Sequence, residues 1–389
     1  MTLRKLQVTK RMKQIMAGYY LMGHQAEDVA WVTSGAPVEI LYSMDVYPAY
    51  PENHGALIGA TKMGSHFSEF AERRGYSRDL CSYARSDLGC IFANRSPIGG
   101  LPKPKFLFAC NNICNTVVKW YEVVSKIFKV PVFVLDVPFV RKDLKESYIN
   151  YVEDQIYEFI QFTEKITQKK FSDENFRKTL KKSLKAVRLY SEILKMGKHK
   201  PSPITCFDAF INMAPIVCLR GTDYAISFYK EMRDEVLNRI KNNEAAVEDE
   251  KLRLLWDNIP IWYRLGWLAD FFASRNVCLV ADTYTNAWTS FLTRRKDVRG
   301  LAEIYTVIYL NIGIERMAEF INKLSEEYDA DGIVMHSNRS CKRYSFGQYE
   351  IQKMIKIPSV VIDADMTDQR SFSEAQVETR LEAFLEMLT

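Results

Sequence analysis

A chain of 389 residues, 47% hydrophobic and 26% charged, is long enough for two packed cores and too apolar to stay disordered. Its net charge of +5 is spread along the sequence rather than gathered into a stripe, which suits an acidic coenzyme better than nucleic acid. No apolar run approaches the roughly 18 residues of a membrane helix, and 8 cysteines without a secretory signal indicate thiols kept reduced rather than disulfides.

Residues 1–25 carry Arg4, Lys5, Lys10, Arg11 and Lys13 and no acid before Glu27. Lacking a continuous apolar core and a small-residue cleavage site, they read as a basic amphipathic first helix rather than a targeting peptide. Lys105 to Cys110 (KFLFAC), a helical Thr116 to Phe128 and Val132 to Asp136 (VFVLD) then follow a strand, helix, strand grammar, and residues 26–145 are expected to form an α/β domain. The strongest apolar run, Val130 to Val140, is broken by Asp136 and Pro138.

Glu146 to Lys198 and Tyr224 to Leu255 are rich in Lys, Glu, Leu and Phe at helical spacing, with a loop around Lys198 to Pro203, so 146–260 reads as mainly helical. Asn276 to Asp282 (NVCLVAD), Gly332 to His336 (GIVMH) and Ser359 to Asp363 (SVVID) are short apolar runs, the last two flanking a helical Tyr344 to Ile355. Such alternation belongs to parallel sheets with crossover helices, and 261–389 is the second α/β domain. The expected fold class is α/β, with two Rossmann-like parallel-sheet units and a helical region between them. No sequence period supports an internal duplication.

In an open α/β sheet, ligands gather beyond the carboxyl ends of strands. Cys114 follows one predicted strand and precedes a helix, and Cys341 stands likewise after Gly332 to His336, so both lie near backbone N–H groups that favour a thiolate. Cys81, Cys90, Cys110, Cys114 and Cys341 form no CxxC pair, which excludes a zinc ribbon and a ferredoxin-type run but leaves open a cluster assembled from distant loops. Cys206, Cys218 and Cys278 read as buried packing residues and Cys90 as a bystander. His54 reads as a hydrogen-bonded structural residue, and Trp120, Trp256, Trp262, Trp267 and Trp288 as core or interface.

Three segments carry a resemblance: Cys81-Ser82-Tyr83-Ala84-Arg85-Ser86-Asp87, Asn111-Asn112-Ile113-Cys114-Asn115-Thr116, and Ser340-Cys341-Lys342-Arg343-Tyr344-Ser345-Phe346-Gly347-Gln348-Tyr349. They resemble the cysteine motifs of the 2-hydroxyacyl-CoA dehydratase family, which includes the substrate-binding subunits of ATP-dependent benzoyl-CoA reductase. Ile357 to Met366 and Phe372 to Gln376 are similar to the family's last strand and helix, and the likeness runs from about Val32 to the C-terminus, weakly across the helical middle.

The resemblance implies a 4Fe-4S cluster held by Cys81, Cys114 and Cys341, with Cys110 as the rival for Cys114. Val32 to Pro37 and Tyr47 to Gly55 resemble the loops that hold a serine and a glutamate beside an open iron, here Ser34 and Glu52. Glu52 would transfer a proton or orient the hydroxyl, and Ser34 would hydrogen-bond substrate or iron-bound water. Asn111, Asn112 and Arg85 would brace the cluster loops. Ala302 to Arg316 lacks a cysteine that would close the cluster, as in an electron-relay subunit.

The implied reaction is dehydration of a 2-hydroxyacyl-CoA. One electron on the thioester carbonyl gives a ketyl radical anion that expels the 2-hydroxyl group, the C3 proton then becomes acidic, and the electron is returned. The implied partners are a homologous second subunit, making a heterodimer, and a separate ATP-dependent iron-sulfur activator, since the chain has no G-x-x-x-x-G-K-[ST] loop. No nucleic acid or membrane is expected, and the setting is an anaerobic cytoplasm. The alternatives are a benzoyl-CoA reductase-type subunit and an electron-relay subunit that never touches substrate.

Overall fold

The protein, described over residues 3–389 in a computed structural model, builds two four-stranded, all-parallel sheets. The first contains β1 (Val29–Val32), β2 (Tyr47–Ala49), β3 (Phe106–Cys110) and β4 (Val132–Leu135), in the order β2-β1-β3-β4. The second contains β5 (Leu252–Asp257), β6 (Val277–Asp282), β7 (Gly332–Asn338) and β8 (Ser359–Ala364), in the order β6-β5-β7-β8. Within each sheet the second strand in sequence lies outside the first, and the third and fourth follow on the other side. The two units therefore share a topology that no sequence period reveals.

The runs KFLFAC and NVCLVAD become strands because each is sandwiched between layers. β3 and β6 are buried at every position, the pattern of a parallel strand covered on both faces. Phe108 of β3 stacks on Phe159 of the helix Glu146–Thr167 with ring centroids 3.6 Å apart, which seats the helical region on the first sheet. That region continues through the helices Asp173–Lys195 and Asp223–Lys241, broken at Gln168, which turns left-handed at φ 61°. At the N-terminus, the helix Thr9–Gly23 buries Met12, Met16, Tyr19 and Tyr20. Among the described residues no helix is long and apolar enough to cross a membrane.

Three strands differ from the sequence reading. Leu252–Asp257 was expected to end a helical stretch, yet the helix stops at Lys241 and β5 pairs with both β6 and β7. Its Leu and Arg residues favour helix in isolation, but Leu254, Leu255 and Trp256 are buried in the middle of a sheet, and that packing decides. β1 and β2 are only 4 and 3 residues long. Pro48 within β2 argues against a strand, but β2 is an edge, where a missing N–H costs no ladder bond.

The two units are tied together by polar contacts near the cysteine loops. Arg85 Nη1 donates to Glu72 Oε1 at 2.6 Å and to Asp368 Oδ2 of the second unit at 3.0 Å, all within a largely buried pocket. The helix that carries Arg85, Ser82–Ala93, lies against the helix Gly64–Glu72 so closely that a Cβ at Gly89 would stand 1.8 Å from the Phe67 carbonyl oxygen. Gly89→Ala is therefore expected to cost about 1–3 kcal/mol through overpacking, read as a lower urea midpoint. An unchanged midpoint would contradict this packing.

Candidate functional site

The three cysteines of the motifs occupy equivalent positions. Cys81 stands at the N-cap of Ser82–Ala93, Cys114 at the N-cap of Asn115–Phe128 just past β3, and Cys341 at the N-cap of Lys342–Ser345 just past β7. The backbone N–H groups of Tyr83 and Ala84 lie near the Cys81 sulfur and favour its thiolate, as do those of Thr116 and Val117 for Cys114 and that of Tyr344 for Cys341. Helix starts leave such donors free, and here each set lies beside a sulfur.

All three thiols line one cavity of about 110 Å³, together with Ser34 and Glu52. Of the 8 cysteines these three are half-buried, whereas Cys90, Cys110, Cys206, Cys218 and Cys278 are buried. Cys110, on β3, packs in the core beneath the helical region rather than in the cavity.

Burial pushes the Cys81 thiol well above its ordinary range, followed by the charges of Cys341 and Cys114. It pushes Cys341 up to about 12, with Cys114 adding to it, and raises Cys114. Three mutually repelling thiolates are stabilised when a cationic metal group neutralises them. Among the described residues no three His, Cys, Asp or Glu side chains are grouped to hold a single metal ion. A soft, three-thiol set spread around a cavity, with a helix start beside each sulfur, suits a group several atoms wide such as an iron-sulfur cluster.

Ser34 lies in the loop after β1, and Glu52 in the first turn of the helix Pro51–Ala60 after β2. The Ser34 N–H donates to Glu52 Oε2 at 2.7 Å and its hydroxyl to Oε1 at 2.8 Å. Burial pushes the Glu52 carboxyl up to about 7, against the pull of both Ser34 donors. A carboxyl poised there exchanges a proton at neutral pH.

The neighbouring polar residues brace the site. His54 is buried, with Nδ1 2.9 Å from Asp87 Oδ1 and Nε2 2.8 Å from Ser96 Oγ, and Trp120 Nε1 donates to the other Asp87 oxygen at 3.2 Å. Asn112 Nδ2 donates to the carbonyls of Gly35 and Tyr305, at 3.0 and 2.9 Å, holding the Ser34 loop. Asn111 ties the end of β3 to Asp136 and Val137.

Sequence reasoning missed two parts of the site. Tyr284, Phe291 and Tyr309 form much of the cavity wall, and Trp120 and Trp288, read as core or interface, line it as well. The other missed part is the buried Arg220, whose guanidinium donates to the carbonyls of Ala36 at 2.8 Å and Ser34 at 3.3 Å and to the Tyr305 hydroxyl. No local spacing signals that contact. The wall segment was more accessible, since it begins at the carboxyl end of the correctly read strand β6.

Thiols, a serine and a neutral-range carboxyl facing one apolar cavity at the carboxyl ends of parallel strands mark an enzyme site. The model of the 2-hydroxyglutaryl-CoA dehydratase D-component family matches residues 33–388. The chain is 33% identical over 385 residues to the (R)-2-hydroxyisocaproyl-CoA dehydratase alpha subunit of Clostridioides difficile, covering 96% of this chain and 94% of that one. It is 34% identical over 385 residues to the lactoyl-CoA dehydratase alpha subunit of Anaerotignum propionicum, covering 94% and 91%. To one of the subunits of the benzoyl-CoA reductase of Thauera aromatica it is 28% identical over 407 residues, covering 97% and 94%. The chain belongs to the 2-hydroxyglutaryl-CoA dehydratase D-component family and is thereby an enzyme of the dehydratase class, a lyase.

The raised Glu52 carboxyl has a stability consequence. The folded chain holds this proton more tightly than the unfolded chain, so the group's contribution is full below its unfolded value near 4.3 and is lost as pH rises through about 7. In iron-free protein, the stability of Glu52→Gln relative to wild type is expected to rise by about 3 kcal/mol between about pH 4 and about pH 8. Urea unfolding across that range checks it, and a pH-independent difference would contradict it.

Proposed function

We propose that this chain is the acyl-CoA-binding subunit of a 2-hydroxyacyl-CoA dehydratase, holding a 4Fe-4S cluster on Cys81, Cys114 and Cys341 beside Ser34 and Glu52. One observation carries the reading: five side chains scattered along the sequence line a single cavity, while the other five thiols are packed away. When bound, the cluster would supply a Lewis-acidic iron and a low-potential electron to the thioester carbonyl.

The rest falls to the chain's own residues. Elimination breaks the C2–OH and C3–H bonds and releases one water, so a proton must leave C3. Glu52, poised near neutrality, receives that proton. The Ser34 hydroxyl already donates to Glu52 Oε1 at 2.8 Å, so toward substrate it acts as an acceptor and orients the 2-hydroxyl group. The apolar wall of Trp288, Phe291 and Ile308 keeps bulk water from the radical.

The electron comes from a separate ATP-dependent activator and the chain pairs with a homologous second subunit, in an anaerobic cytoplasm. The naming of several relatives as alpha subunits supports a two-subunit enzyme. A ring-reducing role is the second reading, favoured by the likeness to the benzoyl-CoA reductase of Thauera aromatica. Product analysis separates the two, because reduction consumes electrons whereas dehydration recycles them.

Iron and acid-labile sulfide analysis with EPR on anaerobically purified protein tests the cluster. About four irons per chain are expected, lost in Cys114→Ser and kept in Cys110→Ser, and an iron-free, stable wild type would sink the proposal. With the second subunit and activator present, Ser34→Ala and Glu52→Gln should keep their iron. Glu52→Gln should lose about 10²–10⁴-fold in dehydration rate. Full activity in both variants would remove these residues from the chemistry.

A further inference from the structure

The wall beside Ser34 and Glu52 is closed by apolar groups. Gly35 leaves no room there, since a Cβ at that position would stand 2.8 Å from Cγ1 of Ile113. Trp288 and Phe291 stack with centroids 5.0 Å apart and planes 15° from parallel. Both rings lie against the Arg220 guanidinium, at 5.3 and 5.7 Å, and Arg220 in turn binds the Ser34 carbonyl. Tyr284, which begins the same segment, lies within range of the Glu52 charge. The stacked pair is thereby fixed next to the groups that meet the substrate's hydroxyl.

Cations are scarce along this wall. Arg220 has no accessible surface and is paired with Glu39 at 3.6 Å, so it is not offered to a ligand. Arg343, the one cationic side chain lining the cavity among the described residues, stands two residues from Cys341 and directs Nε and Nη2 to the carbonyls of Leu310 and Ile312, at 2.6 and 2.7 Å. A carboxylate at the far end of an acyl chain, placed among Ile113, Trp288 and Phe291, would lose its water and gain no partner. An alkyl or aryl group would gain by burial.

We infer that this site takes an acyl group with an uncharged, apolar side chain, aliphatic or aryl, and that Ile113, Trp288 and Phe291 select it against a dicarboxylic acyl group. The inference rests on the acyl-CoA-binding reading proposed above, and narrows it.

Calorimetric titration of the anaerobically purified protein with isocaproyl-CoA, glutaryl-CoA and free CoA tests it, since none carries the 2-hydroxyl group and none reacts. Isocaproyl-CoA is expected to bind about tenfold or more tightly than glutaryl-CoA. Phe291→Lys should narrow that ratio by strengthening glutaryl-CoA, while the milder Phe291→Leu should preserve it. Equal or tighter binding of glutaryl-CoA by the wild type, with both esters bound better than free CoA, would overturn the inference and leave the acyl-CoA reading standing. Neither ester bound better than free CoA would overturn both.

Discussion

The guanidinium of Arg220 ties together, by polar contacts, distant parts of the chain that also share one apolar core. Burying a guanidinium costs several kcal/mol unless its donors are satisfied and its charge is paired. Here Nη1 reaches the Val217 carbonyl at 2.8 Å, Nη2 reaches Ala36, and Glu39 supplies the counter-charge. Glu39 is itself held by the hydroxyls of Ser183 and Tyr305, at 2.6 and 2.8 Å. Removing any one partner leaves a buried charge exposed to the low dielectric, so the loop after β1, the helical region and the segment around Tyr305 are fixed as a set.

That fixed loop presents Ser34, and Ser34 presents Glu52. The chain of dependence runs from the ion pair of Arg220, in the helical region, with Glu39, in the first unit, to a carboxyl in the cavity. On the thiol side the organising feature is different: three helix starts converge, each with a cysteine at its N-cap. The first unit contributes Cys81 and Cys114 and the second contributes Cys341, so a group bound to all three would clamp the units as Arg85 and Asp368 do at the rim.

The legibility of the site in the sequence follows the range of the interactions. Cys114 and Cys341 were readable because a strand followed by a helix N-cap is a local pattern, and parallel strands such as β3, β6, β7 and β8 announce themselves as unbroken apolar runs. Family resemblance, not spacing, singled out Cys81, Ser34 and Glu52. β5 was illegible because its helix-favouring residues are overruled by neighbours on both sides, and β2 because three residues with a proline carry no period. Arg220 meets Ser34 across 186 positions of sequence, a distance at which no pattern of residue types says which arginine will be buried.

The apolar wall ties reactivity to selectivity. Burial pushes the Glu52 carboxyl up to about 7, and Tyr284 and the stacked rings line the same cavity. A cation introduced among those rings to receive a distal carboxylate would act on Glu52 as well, since an opposite charge within a few ångströms lowers a carboxyl's proton affinity. Glu52 would then hold its proton less readily and serve less well as an acceptor at C3. A site arranged this way would have to retune its base to admit a charged acyl tail at this wall.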